Sequence, residues 1–146
     1  MSRLPWSADA LMMKAETALS SARALLDIGD VDGAVNRAYY AMFDAARAAL
    51  VGAGAPVQPD AVRTHSGLIG AFGRYLVKNG PMPKEIGRLL NRAHEIRLLA
   101  DYDGDTVDQA EALELVKQAT NFVAAVRIVL VPPSSIDDPR IGCDDK

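Results

Sequence analysis

Apolar residues recur along most of the chain at steps of three and four, the period of a helix with one buried face. Five such stretches stand out. The first runs from about Ser7 to Asp27 on Leu11, Ala15, Ala18, Leu19, Ala22, Leu25 and Leu26, with Ser7 as N-cap and Gly29 as the stop. The second runs from about Asp30, its cap, to Gly52. Its stripe is Val35, Ala38, Met42, Ala46 and Ala49, flanked by Tyr39, Phe43 and Leu50. The glycines and prolines of "GAGAPVQPD" mark a loop. The third stretch spans about Thr64 to Lys78, with Leu68, Ile69, Phe72 and Leu76 inward, and ends at Asn79-Gly80-Pro81. The fourth follows Pro83, with Ile86, Leu89, Ala93, Ile96 and Ala100 on one face, and breaks at "DYDGD". The fifth begins near Thr106, which stands in capping-box spacing with Gln109. It reaches about Val131 on Leu113, Val116, Ala119, Val123, Val126 and Leu130, where Pro132-Pro133 stops it.

No segment alternates with the period of a strand for long, and no repeat of fixed length is evident. Long amphipathic helices on short links favour antiparallel neighbours, so the expected architecture is an all-α, up-and-down bundle of about five helices. Residues 1–131 are expected to form one domain. The remainder, 132–146, is expected to be a disordered acidic tail, since it holds too little apolar surface to order itself.

Composition narrows the class. Hydrophobic residues make up 49% and charged residues 24%, ordinary for a soluble globular chain. The single cysteine, Cys143, permits no internal disulfide or cysteine metal cluster. "FVAAVRIVLV" is interrupted by Arg127 and too short to span a bilayer. With no basic-then-apolar leader, a cytoplasmic protein without membrane partners is expected. The net charge of −3 is unevenly spread: residues 61–97 carry 7 basic and 2 acidic side chains, against 4 and 10 over 98–146. A basic middle in an acidic chain attracts a polyanion locally, although most such charges simply keep a surface solvated.

Candidate chemistry gathers in three places. On the fourth helix Glu85, Arg88, Asn91, Arg92 and Glu95 share the outward face, but Arg97 falls at the edge of the apolar stripe beside Leu90, with His94 three residues back and Asp101 four residues on. A cation there must snorkel or find a partner. Either Arg97 and Asp101 form a partly buried pair that anchors the helix end, or Arg97 grips a phosphate. On the second helix Asn36, Arg37, Tyr40, Asp44 and Arg47 share the arc opposite the core, as a solvated face or as one wall of a cleft whose other wall carries Arg97. In "RTHSG", Thr64 caps the third helix and His65 lies in its first turn, at a surface position or beside backbone N–H groups that suit an anion. Two histidines without a carboxylate cluster give no metal site. No glycine-rich phosphate loop, nucleophile elbow or catalytic acid pair is present, and no cofactor is expected.

Three segments, "NRAYYAMFDAARAAL", "RTHSGLIGAFGRYLVKNG" and "GRLLNRAHEIRLLADYD", resemble the HEPN domain superfamily, in particular its small stand-alone bacterial and archaeal branch, over roughly residues 7–131. The resemblance implies a helical bundle that dimerises. It implies a metal-independent endoribonuclease whose motif, an arginine followed four to six residues later by a histidine, meets its twin across the dimer. It also implies a toxin paired with a minimal nucleotidyltransferase as antitoxin, which in some members modifies a tyrosine beside the motif. On this sequence the motif arginine matches Arg97 and the histidine position falls at Tyr102. A phenol with pKa near 10 is a poor base near neutral pH. Asp101 as proton acceptor, or His94 as the imidazole from the preceding turn, would have to serve. Asp44 also stands where similar proteins commonly carry histidine. Two readings follow: an RNA endonuclease built on Arg97, Asp101, Tyr102 and His94, with Arg37, Tyr40, Thr64 and His65 binding nucleotide or RNA; or a non-catalytic helical dimer that binds a nucleotide or the nucleotidyltransferase.

Overall fold

The structure is a computed structural model, which describes residues 4–102 and 107–130, with the backbone alone at 101 and 102. The expected tail, Thr106 and the side chains of Asp101 and Tyr102 lie outside the described residues. Among those described there are α-helices α1 (Ala8–Asp27), α2 (Val31–Gly52), α3 (His65–Phe72), α4 (Lys84–Tyr102) and α5 (Gln109–Leu130), and no strand. A short 3₁₀ turn (Pro59–Val62) precedes α3 and a π-helical turn (Gly73–Lys78) follows it. The all-α bundle expected from the periodicity is the fold observed.

The caps fix the first hairpin. The Ser7 side chain accepts the Ala10 N–H at 3.2 Å. At the other end Asp30 N–H donates to the Leu25 carbonyl at 2.8 Å, while Gly29 takes φ 87°, a left-handed conformation that costs a glycine little. The Asp30 carboxylate then accepts the Gly33 N–H at 2.9 Å and starts α2. This tight reversal lays α1 antiparallel on α2.

Helix α2 is the centre of the bundle and packs against each of the other four helices. Val35, Ala38, Met42, Ala46 and Ala49 are fully buried, as the stripe predicts, and so are Ala34, Ala41, Ala45 and Ala48. With so many alanines the neighbouring backbones come close to α2 on several sides. Phe72 of α3 and Phe122 of α5 are fully buried and meet at 5.4 Å between ring centroids.

Four expectations are corrected. The third stretch is not one α-helix: beyond Phe72 it widens into the π turn, where Gly70 and Gly73 hold the α conformation weakly, while Leu76 stays buried beside Phe72. The fifth helix begins at Gln109, not near Thr106. Asp108 caps it, its carboxylate accepting the Glu111 N–H at 2.8 Å. Leu113 points outward at 45% exposure, because Ala112, Leu115, Val116 and Phe122 set the buried stripe and Leu113 is turned about 100° from Ala112. Arg47, placed by periodicity on the arc opposite the core, is half-buried: it pairs with Asp44 at 3.6 Å and lays its guanidinium over Trp6 at 4.0 Å.

Candidate functional site

Helices α2, α3 and α4 meet around a small polar cluster. Helix α2 brings Tyr39 and Tyr40, the first turn of α3 brings His65, and α4 brings Asn91, His94 and Arg97. The position of His65 is set locally. Thr64 Oγ1 accepts the Gly67 N–H at 3.1 Å, and Gly67 lies so close to the Ala61 carbonyl that any side chain would collide with it. The 3₁₀ turn therefore rests on the first turn of α3 and aims His65 inward.

Tyr39 is 2% exposed, and its hydroxyl lies 3.2 Å from His65 Nδ1. The other ring nitrogen, Nε2, lies 3.3 Å from Asn91 Oδ1. An amide oxygen can only accept, so Nε2 carries the proton, and Nδ1 accepts from the tyrosine hydroxyl. In the neutral ring these two contacts select one tautomer. His94 stacks on it, centroids 3.7 Å apart and planes 9° from parallel, with its Nδ1 buried and without a hydrogen-bond partner.

Arg97 lies one turn beyond His94. Its guanidinium carbon is 5.0 Å from the Tyr39 ring centroid and 5.4 Å from that of Tyr40, within cation–π range. The cation at the edge of the apolar stripe is thus half-buried against two aromatic faces.

The electrostatics follow. Burial pushes the Tyr39 phenol up to about 12, against the pull of Arg97, so it stays a donor. Burial also lowers the pKa of both imidazoles. For His65 the Asn91 bond opposes the shift and Arg97 adds to it; for His94 the neighbouring His65 and Arg97 add to it. The permanent cation of Arg97 can hold negative charge, and the His94 imidazole beside it can accept a proton. Among the described residues no group of three or more His, Cys, Asp or Glu is placed to hold a metal, and no helix is long and apolar enough to cross a membrane.

Of the residues singled out from sequence, Arg97, His94, His65 and Tyr40 come together, and Thr64 serves as the cap. Arg37 lines a groove that it shares with Tyr40. Tyr39 and Asn91 join the cluster unannounced by the sequence, since periodicity alone puts the first on the flank of the core and the second outward. The available signal was a tyrosine, not a phenylalanine, on a buried stripe, since a buried phenol needs a partner.

The all-α bundle falls into a known class of helical domain. The chain belongs to the HEPN domain family, whose model covers residues 8–129. A UPF0332 protein of Gloeobacter violaceus is 39% identical over 115 residues, 77% of this chain and 87% of that one. A protein of Methanocaldococcus jannaschii named "Putative toxin" is 34% identical over 121 residues, 83% of this chain and 87% of its own. A UPF0332 protein of Thermotoga maritima is 35% identical over 115 residues, 77% of this chain and 83% of that one.

Proposed function

We propose that this HEPN protein is toxin-like and acts on RNA as a metal-independent endonuclease, with Arg97 as the phosphate grip and His94 as the base. The observation that carries the reading is the stacked pair of neutral imidazoles, His65 and His94, one turn from Arg97. The toxin-named archaeal relative supports the biological class.

In this scheme the ribose 2′-hydroxyl attacks the adjacent phosphorus, the bond to the 5′ oxygen breaks, and a 2′,3′-cyclic phosphate and a 5′-hydroxyl result. The protein aligns the attack and stabilises charge. His94 takes the 2′ proton, because both nitrogens of His65 are already engaged by Tyr39 and Asn91. Arg97 lies over the phosphate oxygens in bidentate fashion. An imidazolium at His94, beside His65 and Arg97, sheds its proton readily, and the departing 5′ oxygen is protonated from solvent. Asp101, four residues beyond Arg97, is assigned to orient the guanidinium, and Tyr102 to contact a base or accept a nucleotide modification. Two protomers would pair their Arg97 sites in a dimer, with a nucleotidyltransferase as antitoxin partner.

The second reading is a non-catalytic module that binds nucleotide or that partner, and the tyrosine at 102, where the motif has histidine, favours it. Purified protein incubated with mixed single-stranded RNA in EDTA separates the two. Cleavage lost in Arg97→Ala and His94→Gln, with helicity intact by circular dichroism, is the expected result. Saturable binding with no cleavage selects the module. A light-scattering mass of 15.6 kDa at micromolar concentration, with no larger species, removes the composite site.

A further inference from the structure

A second recess opens between α1 and α2, a cavity of about 460 Å³. That is within the range of roughly 300–1,000 Å³ common for small-molecule sites. Lys14, Thr17 and Ser21 line it from α1, and Arg37, Tyr40 and Asp44 from α2. On each helix the three residues are spaced three and then four apart, which stacks them in one column. The two columns face each other above Ala18, which is buried, at a level where paired helices ordinarily close on apolar side chains. Thr17 and Ser21 are short and Ala18 is shorter, so the groove stays open.

Its charge is one-sided. Asp44 pairs with Arg47 at 3.6 Å and also feels the charge of Lys14, so against this one carboxylate the groove and its rim set three cations, Lys14, Arg37 and Arg47. The groove is also continuous with the Arg97 cluster. Tyr40 is 39% exposed, lines the groove, and carries the Arg97 guanidinium 5.4 Å from its ring centroid. Opposed cations, two hydroxyls and one exposed aromatic ring are the complement of phosphate, sugar and base.

We propose that this groove seats one nucleotide unit, its phosphate between Lys14 and Arg37, its sugar hydroxyls toward Thr17 and Ser21, and its base against Tyr40. The nucleotide neighbouring the phosphate held by Arg97 on a single-stranded RNA supplies this unit, and in that respect the proposal rests on the RNA reading above. A free nucleoside monophosphate carries the same chemistry, so the experiment separates the two sources.

The test uses the full chain. A labelled, adenine-rich single-stranded oligoribonucleotide is titrated by fluorescence anisotropy at several salt concentrations, with wild type, Lys14→Gln/Arg37→Gln and Arg97→Ala. AMP is titrated separately, with amide NMR shifts as the readout. Lys14 and Arg37 are exposed, so the double variant is expected to keep its helicity. For RNA as the source, the double variant binds the oligonucleotide at least tenfold more weakly, and its log–log salt slope is shallower by about 0.7 for each phosphate it no longer neutralises. For the free nucleotide, AMP shifts amides within residues 14–21 and 37–44 in the wild type and not in the double variant. Groove shifts with AMP, but no oligonucleotide binding by the wild type, retain the groove while removing the RNA reading. Oligonucleotide binding that Arg97→Ala abolishes and the double variant leaves intact, with no AMP shifts at the groove, overturns the groove and leaves the RNA reading standing. No response to either probe at these residues overturns the groove as well.

Discussion

Replacing Tyr39 with phenylalanine isolates one atom of the cluster. The ring stays in place, so its packing on Phe43 and Tyr40, its contact with His94 and its cation–π contact with Arg97 all survive. What disappears is the hydroxyl that donates to His65 Nδ1 at 3.2 Å. A net hydrogen bond contributes about 1 kcal/mol, and an acceptor left partly buried without a partner costs about 1–3 kcal/mol. Because His65 is only half-buried, water satisfies part of that deficit, and about 1–2 kcal/mol is the expected destabilisation. For a chain of this length that lowers Tm by about 3–6 °C. The donor also favours neutral His65, so its removal raises the His65 pKa. Thermal unfolding followed by circular dichroism gives the first quantity, and an NMR titration of the two histidine rings gives the second. Tyr39→Ala, which also empties the ring's space, serves as the upper bound at about 3–5 kcal/mol. An unchanged Tm together with an unchanged His65 titration in Tyr39→Phe would refute the hydrogen-bonded arrangement derived above.

Other outcomes follow from the same geometry. Both histidines bind protons less readily in the folded chain than in the unfolded one, so stability is level above about pH 7 and falls as pH drops through the ordinary histidine range near 6.5. Urea unfolding between about pH 5.5 and 7.5 should show that fall flattened in His65→Gln/His94→Gln; an identical pH profile would contradict the buried pair. Gly67→Ala should push the first turn of α3 off the Ala61 carbonyl and perturb the His65 ring resonances along with stability, whereas a variant with wild-type Tm and wild-type histidine shifts would show that the contact is slack. Leu113→Gln should leave stability within about 0.5 kcal/mol, while Leu115→Ala costs about 2–5 kcal/mol by denaturant unfolding; the reverse order would restore the face first expected for the fifth helix.

The pattern of the chain carried α1 because its burial obeys one period, and the starts of α1 and α2 because Ser7 and Asp30 are strong caps followed by apolar residues. It misplaced the start of α5, where two oxygen-bearing caps, Thr106 and Asp108, compete within three residues and local spacing alone cannot rank them. It missed the π turn because Leu68, Phe72 and Leu76 fit an α stripe equally well. The candidate site was half legible. Arg97 stood out as a charge on the wrong arc, since one helix suffices to see that. The His65–His94 stack joins residues 29 positions apart on different helices, and Tyr39 and Asn91 gain their roles only from that meeting. Local periodicity carries no information about which faces of distant helices will meet.

The clasp of Arg47 over Trp6 has a practical side. Trp6 is the chain's only tryptophan, so its emission belongs to a single place, the short segment leading into the first helix. A red shift at constant helicity would mean that this strap has lifted from the bundle while the helices remain folded, giving the protein a built-in optical gauge of its own N-terminal seal.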